Sequence, residues 1–174
     1  MIGYKGFDSE LKCIDYQYEI GKTFEIDSNK ELSVCPKVQN NQAGLHFCEN
    51  PLDVLKYYPN EKGNRYAVVE SIGNTIFDSY DSKVATDKLK VIKEITYNEL
   101  LELGVEYSIE NVCYISAEMF ELCSETLKEK YILYRIENNY YISNKQFEWC
   151  SETLKEKCVL MCIEKGYNIL DEMF

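Results

Sequence analysis

The side chains best suited to chemistry in this 174-residue chain are one histidine and eight cysteines. Because His46 is the only imidazole, any serine or cysteine nucleophile would need it as its base. The sequence contains no Gly-x-Ser-x-Gly elbow and no glycine-rich phosphate loop. A lone histidine in a strand is more often structural than catalytic. We therefore expect no catalytic residue from these motifs, and no cofactor.

The cysteines are Cys13, Cys35, Cys48, Cys113, Cys123, Cys150, Cys158 and Cys162. No two of them have the Cys-x-x-Cys spacing of redox and zinc sites, and Met1 is not followed by a secretory leader. We therefore expect reduced thiols in the cytosol. Two cysteines lie one helical turn apart, at 158 and 162, and could share a metal. A zinc site would need further ligands, so no metal is expected.

The largest organising feature is an internal repeat in the C-terminal third. Residues 115–141 and 142–168 align without a gap at a period of 27, with 16 identical positions. Both copies contain Phe-Glu-x-Cys-Ser-Glu-Thr-Leu-Lys-Glu-Lys, and a partial third copy runs from Ile169 to Phe174. Self-similarity at such a period is typical of stacked supersecondary units, which usually display binding surfaces.

Each repeat is predicted to contain two helices. Ser116 and Ser143 are placed to cap the first helices, and Ser143 with Gln146 forms a capping-box pattern. Ser124 and Ser151 are placed to cap the second helices. The sequence therefore predicts that residues 112–174 form an all-α segment of two-helix repeats, with two full 27-residue copies and a partial third.

The repeats also supply the candidate binding residues. Six glutamates recur at a spacing of four, in both copies: Glu121, Glu125, Glu129, Glu148, Glu152 and Glu156. One interpretation is a solvated face paired with neighbouring lysines. The other is an acidic stripe displayed twice for a partner. The adjacent aromatics Tyr140 and Tyr141 are suited to anchoring an interface.

The formal net charge of −11 limits the choice of partner. Such acidity repels phosphate backbones, so we expect no direct nucleic-acid binding. It favours association with a basic protein. No apolar stretch is long enough to cross a membrane, so we expect no membrane partner.

Residues 1–111 are predicted to form an α+β domain, with a small mixed or antiparallel sheet and short helices. Strands are expected at 2–7 and 44–48, and 16–20 and 23–26 flank Gly21-Lys22 like a hairpin. Asn50 is a good helix N-cap, with Asp53 at the position of a capping-box acid. Thr96 is placed to cap a later helix, which Gly104 is expected to end.

The first 105 residues resemble a known family. The stretches that carry the resemblance are Gly-Tyr-Lys-Gly-Phe at 3–7, Gln-Tyr-Glu-Ile-Gly-Lys-Thr at 17–23 and Gly-Leu-His-Phe-Cys-Glu-Asn-Pro-Leu-Asp-Val at 44–54. Residues 65–70 and 88–95 continue it. They resemble an uncharacterised domain found in phage, prophage and fusobacterial proteins, often beside repeat arrays. That family implies no agreed activity.

A small, acidic protein of phage type also resembles the anti-CRISPR inhibitors. Its Lys-, Glu- and Tyr-rich composition suits an AT-rich host, such as those that carry type VI RNA-guided RNases. Those effectors are strongly basic along their RNA channel. The resemblance implies a stoichiometric inhibitor that binds such an effector.

A third resemblance points to an enzyme. The stretch Gly-Leu-His-Phe-Cys at 44–48, followed by Tyr57, is similar to the central motif of ADP-ribosyltransferases, where the strand helps hold nicotinamide. The resemblance implies a first motif at residues 4–6, NAD as cofactor and Glu70 or Glu94 as the catalytic glutamate, with His46 in the same site.

The sequence favours a binding protein over an enzyme. The leading hypothesis is a phage- or mobile-element-type protein in the host cytosol that inhibits a basic defence protein, such as a CRISPR effector nuclease. The alternatives are an NAD-using, ADP-ribosyltransferase-like enzyme and an adaptor or self-association module. We expect a monomer or a weak oligomer.

Overall fold

A computed structural model describes residues 1–14, 16–61 and 63–166 of the chain, which forms two compact units, Met1–Gly104 and Val105–Phe174. All the described strands lie in the first unit, and the second is helical. The predicted α+β class is confirmed. The partial third repeat at 169–174 lies outside the described residues. Within the described part of the chain, no helix has the length and apolarity needed to cross a membrane.

The first unit contains eleven described strands. They are β1 Ile2–Phe7, β2 Lys12–Cys13, β3 Tyr16–Gln17, β4 Thr23–Glu25, β5 Glu31–Leu32, β6 Gln42–Ala43, β7 Leu45–Cys48, β8 Arg65–Ser71, β9 Thr75–Phe77, β10 Lys83–Thr86 and β11 Lys88–Ile95. Short 3₁₀ helices span Val38–Asn40 and Pro51–Lys56. The first long helix, α1, spans Tyr97–Glu110.

Seven strands form one antiparallel sheet in the order β4-β11-β8-β1-β7-β10-β9. β1 is the central strand and pairs with β8 along its whole length. On its other side it pairs with β7, where Tyr4 lies opposite Cys48. Most of β1 is buried because neighbouring strands flank it and the 3₁₀ helix Pro51–Lys56 packs on it. The family-marking stretches 3–7 and 44–54 therefore meet at the middle of the sheet.

The predicted hairpin at 16–26 is wrong. Tyr16–Gln17 pairs with Lys12–Cys13, and Thr23–Glu25 pairs with β11 at the edge of the main sheet. Between them the ring of Tyr18 enters the core, with ring centroids 5.1 Å from Phe7 and 4.7 Å from Phe24. Burial of this aromatic ring separates the two segments, so the Gly21-Lys22 turn does not join paired strands.

The 3₁₀ helix Pro51–Lys56 has the predicted N-cap, Asn50, but Asp53 does not complete the predicted capping box. Asn50 Oδ1 accepts a hydrogen bond from the Leu52 amide over 3.0 Å. Asp53, expected to complete a capping box, instead accepts a bond of 2.7 Å from the Ser82 hydroxyl and forms an ion pair with Lys56. The carboxylate thus ties the helix to the loop before β10.

Helix α1 continues past the glycine that was expected to end it. Thr96 and Glu99 form a capping box, with the Thr96 amide 2.7 Å from Glu99 Oε2. Gly104 lies inside the helix, and a Cβ there would come within 2.5 Å of Leu52. The glycine therefore allows close packing of α1 on the 3₁₀ helix, and it does not act as a C-cap.

The second unit contains the repeats. Its remaining helices are α2 Ala117–Leu122, α3 Glu125–Glu137, α4 Asn144–Trp149 and α5 Glu152–Lys165. All four predicted serine N-caps accept a hydrogen bond from the amide three residues later, and the capping box of Ser143 and Gln146 is complete. Two helices per repeat are confirmed.

The two repeats stack on each other with equivalent helices in contact. α2 packs on α4, and α3 packs on α5. Equivalent positions are buried in both copies, including Phe120 and Phe147, and Leu127 and Leu154. The single tryptophan, Trp149, lies with its ring edge-on to Phe120, with ring centroids 6.0 Å apart. A repeated sequence therefore gives a repeated structure with one shared core.

Candidate functional site

A cleft of about 720 Å³ opens in the first unit, where β1 and β7 meet the 3₁₀ helix Pro51–Lys56. Its volume falls in the range of small-molecule sites, which are roughly 300–1,000 Å³. Aromatic rings form much of its wall, from Tyr4, Phe47, Tyr57 and Tyr58. Gly6 allows this arrangement, because a Cβ there would lie 2.6 Å from Tyr58 Cβ. The family-marking stretches 3–7 and 44–54 thus both contribute to one concave surface.

The most unusual residue in the cleft is Lys5, whose side chain is buried at the centre of the sheet with 3% exposure. Its Nζ donates to the carbonyl oxygen of His46 over 2.7 Å and lies 3.3 Å from Cys13 Sγ. The rings of Phe7 and Tyr18 lie 5.5 and 5.0 Å from the ammonium group. Burial lowers the pKa of Lys5, although the nearby Cys13 thiol acts in the opposite direction.

His46 lies in the cleft as a half-buried, hydrogen-bonded residue. Its Nε2 is 3.2 Å from the carbonyl oxygen of Ser33, which fixes the proton on that nitrogen. Burial lowers the pKa of His46, and the charge of Lys5 lowers it further. The imidazole is therefore neutral at neutral pH.

A second lysine lies at the mouth of the cleft. Lys83 forms an ion pair with Asp78 at 3.1 Å, and its Nζ lies 5.6 Å from the centre of the Tyr57 ring. The Tyr57 hydroxyl donates to Asp81 over 2.5 Å. Burial, together with this carboxylate, raises the pKa of Tyr57 to about 12. These contacts hold the Tyr57 ring in place as part of the wall.

Three cysteines line the cleft, and they differ in exposure. Cys48 is buried, Cys13 is half-buried and Cys35 is exposed. Burial, reinforced by the nearby Asp53 carboxylate, raises the pKa of Cys48 to about 12. Its thiol is therefore protonated at neutral pH and unreactive as a nucleophile.

The two candidate glutamates of the NAD-using alternative lie away from the cleft. Glu94 is on β11, where both of its oxygens accept bonds from Arg65, at 2.7 and 2.6 Å. Two strands separate β11 from the strand of His46, a distance of roughly 14 Å at the usual strand spacing. Glu70 lies on β8, where it pairs with Ile2 at the end of β1 that is farther from His46. The structure does not bring either glutamate to His46.

The six candidate glutamates of the repeats are all exposed. The stripe is not carried by a single helix in each copy, because Glu121 belongs to α2 whereas Glu125 begins α3. Each of the helices α2 and α3 nevertheless packs on the helix that carries the equivalent glutamates of the other copy. Among the described residues, Glu152 is the only one of the six in an ion pair, at 3.0 Å from Lys155. Glu125 and Glu152 also stabilise their helices, as acids in the first turn.

The two candidate tyrosines have different environments. Tyr141 is 56% exposed, whereas Tyr140 is half-buried against Tyr134, with ring centroids 5.8 Å apart. Arg135 contacts both tyrosines. Its guanidinium donates to the carbonyl oxygen of Tyr141 over 2.7 and 2.9 Å, and its centre lies 5.3 Å from the Tyr140 ring. Tyr141 is therefore available to a partner, and Tyr140 serves mainly to pack the loop between repeats.

Sequence reasoning did not identify Lys5, Lys83 or Arg135. A lysine in a short apolar strand between two glycines was the available signal for Lys5. Arg135 occupies the position that is Cys162 in the second copy, so the repeat alignment singles it out as a site where the copies differ. Lys83 has no comparable signal, because its role depends on the Tyr57 ring, which is distant in sequence.

The fold and the cleft define an antiparallel-sheet domain with a central concave site, followed by stacked helical repeats. The chain belongs to the family described as Domain of unknown function (DUF7666), which matches residues 1–103. Comparison with curated proteins gives no match. Comparison with solved structures also gives none. The predicted membership of an uncharacterised family is confirmed, and the family region includes the whole cleft and ends before the repeats.

Proposed function

We propose that this chain is a phage- or mobile-element-type binding protein that acts in the host cytosol. Its partner is a basic host defence protein, an RNA-guided RNase of the CRISPR type, which it inhibits by occlusion. The observation that carries the proposal is the stacked repeat with exposed carboxylates at equivalent positions. The resemblance to anti-CRISPR proteins supports the choice of partner.

The stacking supports a docking role because it presents similar surfaces on helices that lie next to each other. Helices α2 and α4 are in contact, and so are α3 and α5. Each exposed glutamate of the first copy therefore has an equivalent on the helix packed beside it. Like charges carried on adjacent helices produce a stronger local field than isolated acids would. A basic surface, such as the RNA channel of a guided nuclease, complements that field.

The exposed apolar residues of the second unit support the same interpretation. Tyr114, Leu122, Tyr141, Leu160 and Ile163 are each 49–59% exposed. Interfaces combine a few aromatic or aliphatic anchors with a polar rim. In this proposal Tyr141 is an anchor, and the glutamates steer the encounter and form the rim.

The geometry of the cleft argues against the NAD-using alternative. His46 lies in a cleft of suitable size, but Glu70 and Glu94 lie elsewhere in the sheet. The transferase chemistry implied by the resemblance needs a glutamate aimed into the site. None of the described residues that line the cleft is a carboxylate.

Direct association tests the proposal. The full chain is titrated into a purified, guide-loaded type VI RNA-guided RNase at about 50 mM and about 500 mM salt, since exposed charges are screened over roughly 10 Å at 0.1 M. We expect association at low salt that weakens at high salt. Replacing Glu121, Glu125 and Glu129 by Gln should weaken it about tenfold, as expected for three rim charges of about 0.5 kcal/mol each.

The matched control replaces Glu19, Glu61 and Glu102 by Gln. These residues are also exposed glutamates, and the change in net charge is the same. The control variant should bind like the wild type. No association at low salt, or equal weakening in both variants, would refute docking through the repeats. Light scattering of the free chain separates this role from self-association, which would appear as a concentration-dependent mass.

A further inference from the structure

The cleft in the first unit has a charge pattern that the docking proposal does not use. Its described lining includes the three lysines Lys5, Lys37 and Lys83, the neutral His46, and no aspartate or glutamate. The chain as a whole has 30 acidic residues against 19 lysines and arginines. A basic cleft in so acidic a protein is therefore a local arrangement, opposite in sign to the average.

The charge balance within the cleft differs from one lysine to the next. Lys83 is neutralised by Asp78 at 3.1 Å. For Lys5 and Lys37 the described residues provide no carboxylate within ion-pair distance. Lys5 Nζ donates to the carbonyl oxygen of His46 and to the sulfur of Cys13, so neither hydrogen-bond partner is a carboxylate. One of the three ammonium protons is therefore left without a partner among these contacts.

A buried ammonium group without a carboxylate partner is unusual. Buried charges are costly unless an opposite charge or a full set of hydrogen bonds compensates them. The rings of Phe7 and Tyr18 lie near the Lys5 ammonium group in place of water, and these contacts offset only part of the cost of burying its charge. An anion in the cleft would supply the missing charge.

The walls define the rest of the ligand. Tyr4, Phe47, Tyr57 and Tyr58 surround the lysines with aromatic surface. Such surfaces bind planar apolar groups by stacking and by exclusion of water. The Tyr57 ring is held by its bond to Asp81 and by the cation of Lys83, so this part of the wall is preorganised.

We propose that this cleft binds a small anion with a planar aromatic body, whose carboxylate or phosphate group pairs with Lys5 and Lys37. The aromatic body lies against the tyrosine rings. Two sources share this chemistry, an aromatic carboxylate and a nucleoside monophosphate. The cleft volume of about 720 Å³ accommodates either. This site is separate from the repeat surface and does not depend on the docking proposal.

The test is a titration of the ¹⁵N-labelled full chain followed by NMR. One arm uses 4-hydroxybenzoate and the other adenosine 5′-monophosphate, with phenol, adenosine and inorganic phosphate as the matched partial ligands. We expect saturable binding in one arm below about 5 mM, corresponding to the weak end of specific affinities. Shifts should centre on residues 4–6, 46–48 and 57–58. The arm that saturates identifies the source.

Variants locate the charge. Lys37→Gln, which changes an exposed side chain, and Lys5→Met should each weaken binding at least about fivefold, the loss expected for one charged contact. Lys90→Gln is the control, an exposed lysine on β11 that does not line the cleft. The proposal is overturned if neither anion saturates. It is also overturned if the neutral analogues bind equally well, if shifts fall outside the cleft, or if Lys37→Gln binds like the control.

Discussion

The ammonium group of Lys5 donates a hydrogen bond to the carbonyl oxygen of His46 over 2.7 Å, and so joins two of the stretches that mark the family, 3–7 and 44–54. The bond uses the main chain of residue 46, while the imidazole is bonded to Ser33 instead. The side chain at 46 can therefore be changed without removing the contact that positions Lys5. This separation makes the role of each group testable on its own.

The first prediction concerns pH. Burial holds the pKa of His46 below its usual value of 6.5. As the pH falls below 6.5, His46 therefore takes up a proton in the unfolded chain before it does so in the folded chain. The contribution of His46 to stability is therefore unchanged above about pH 6.5 and becomes unfavourable as the pH falls below it. Chemical denaturation at pH 7.5 and 5.5 should show that the unfolding free energy falls more between these two pH values in the wild type than in His46→Gln. Glutamine keeps a donor for Ser33, and equal losses in both proteins would contradict the prediction.

The second prediction concerns Gly104. Replacing glycine by alanine within a helix normally stabilises it by about 1 kcal/mol. Here the new Cβ would come within 2.5 Å of Leu52, and overpacking of this kind costs about 1–3 kcal/mol. We expect Gly104→Ala to lower the unfolding free energy, measured in urea. Asn98→Ala, at an exposed position of the same helix, is the control and should have little effect.

Gly166 and Gly104 show what local sequence can and cannot predict. Gly166 ends α5 in the left-handed conformation, with φ +65°, as glycines that follow the last turn of a helix commonly do. Gly104 does not end α1, because its lack of a side chain is used for packing against a residue about fifty positions earlier. A local pattern predicts caps well when nothing distant competes for the same residue.

The same distinction applies to the sites. Composition and repeat spacing predicted the helices of the second unit and the exposure of the six glutamates, since both depend on neighbours within a few turns. The cleft could not be predicted, because it needs the register of β1 against β7 and the packing of Tyr58 on Gly6. The hairpin at 16–26 failed for a related reason, the burial of Tyr18 against distant rings.

The third prediction concerns the hydroxyl of Tyr131, which is buried in the second unit. It accepts bonds from the Ile115 amide at 3.0 Å and from Arg135 at 3.2 Å. Tyr131→Phe leaves these donors unsatisfied, at a cost of about 1–3 kcal/mol. Thermal unfolding should show a lower transition temperature than for Tyr141→Phe, which removes an exposed hydroxyl. Equal transition temperatures would show that the buried hydroxyl contributes nothing.

The fourth prediction uses Trp149 as a reporter of stacking. As the only tryptophan, it packs against Phe120 of the other copy, and the Lys128 ammonium group lies 5.4 Å from its ring. Phe120→Ala should shift its emission to longer wavelength and destabilise the unit by about 3–5 kcal/mol. Leu122→Ala, on the same helix but 49% exposed, is the control. An unchanged emission spectrum in Phe120→Ala would mean that the copies do not stack through this contact.

The most direct test of the proposed function is inhibition itself. A guide-loaded type VI RNA-guided RNase is mixed with an equimolar amount of the full chain, and cleavage of target RNA is followed over time. We predict that the wild type and the Glu19, Glu61 and Glu102 control stop cleavage, whereas the variant with all six repeat glutamates replaced by Gln does not. Undiminished cleavage with excess wild-type chain would contradict the account, as would equal inhibition by the six-residue variant.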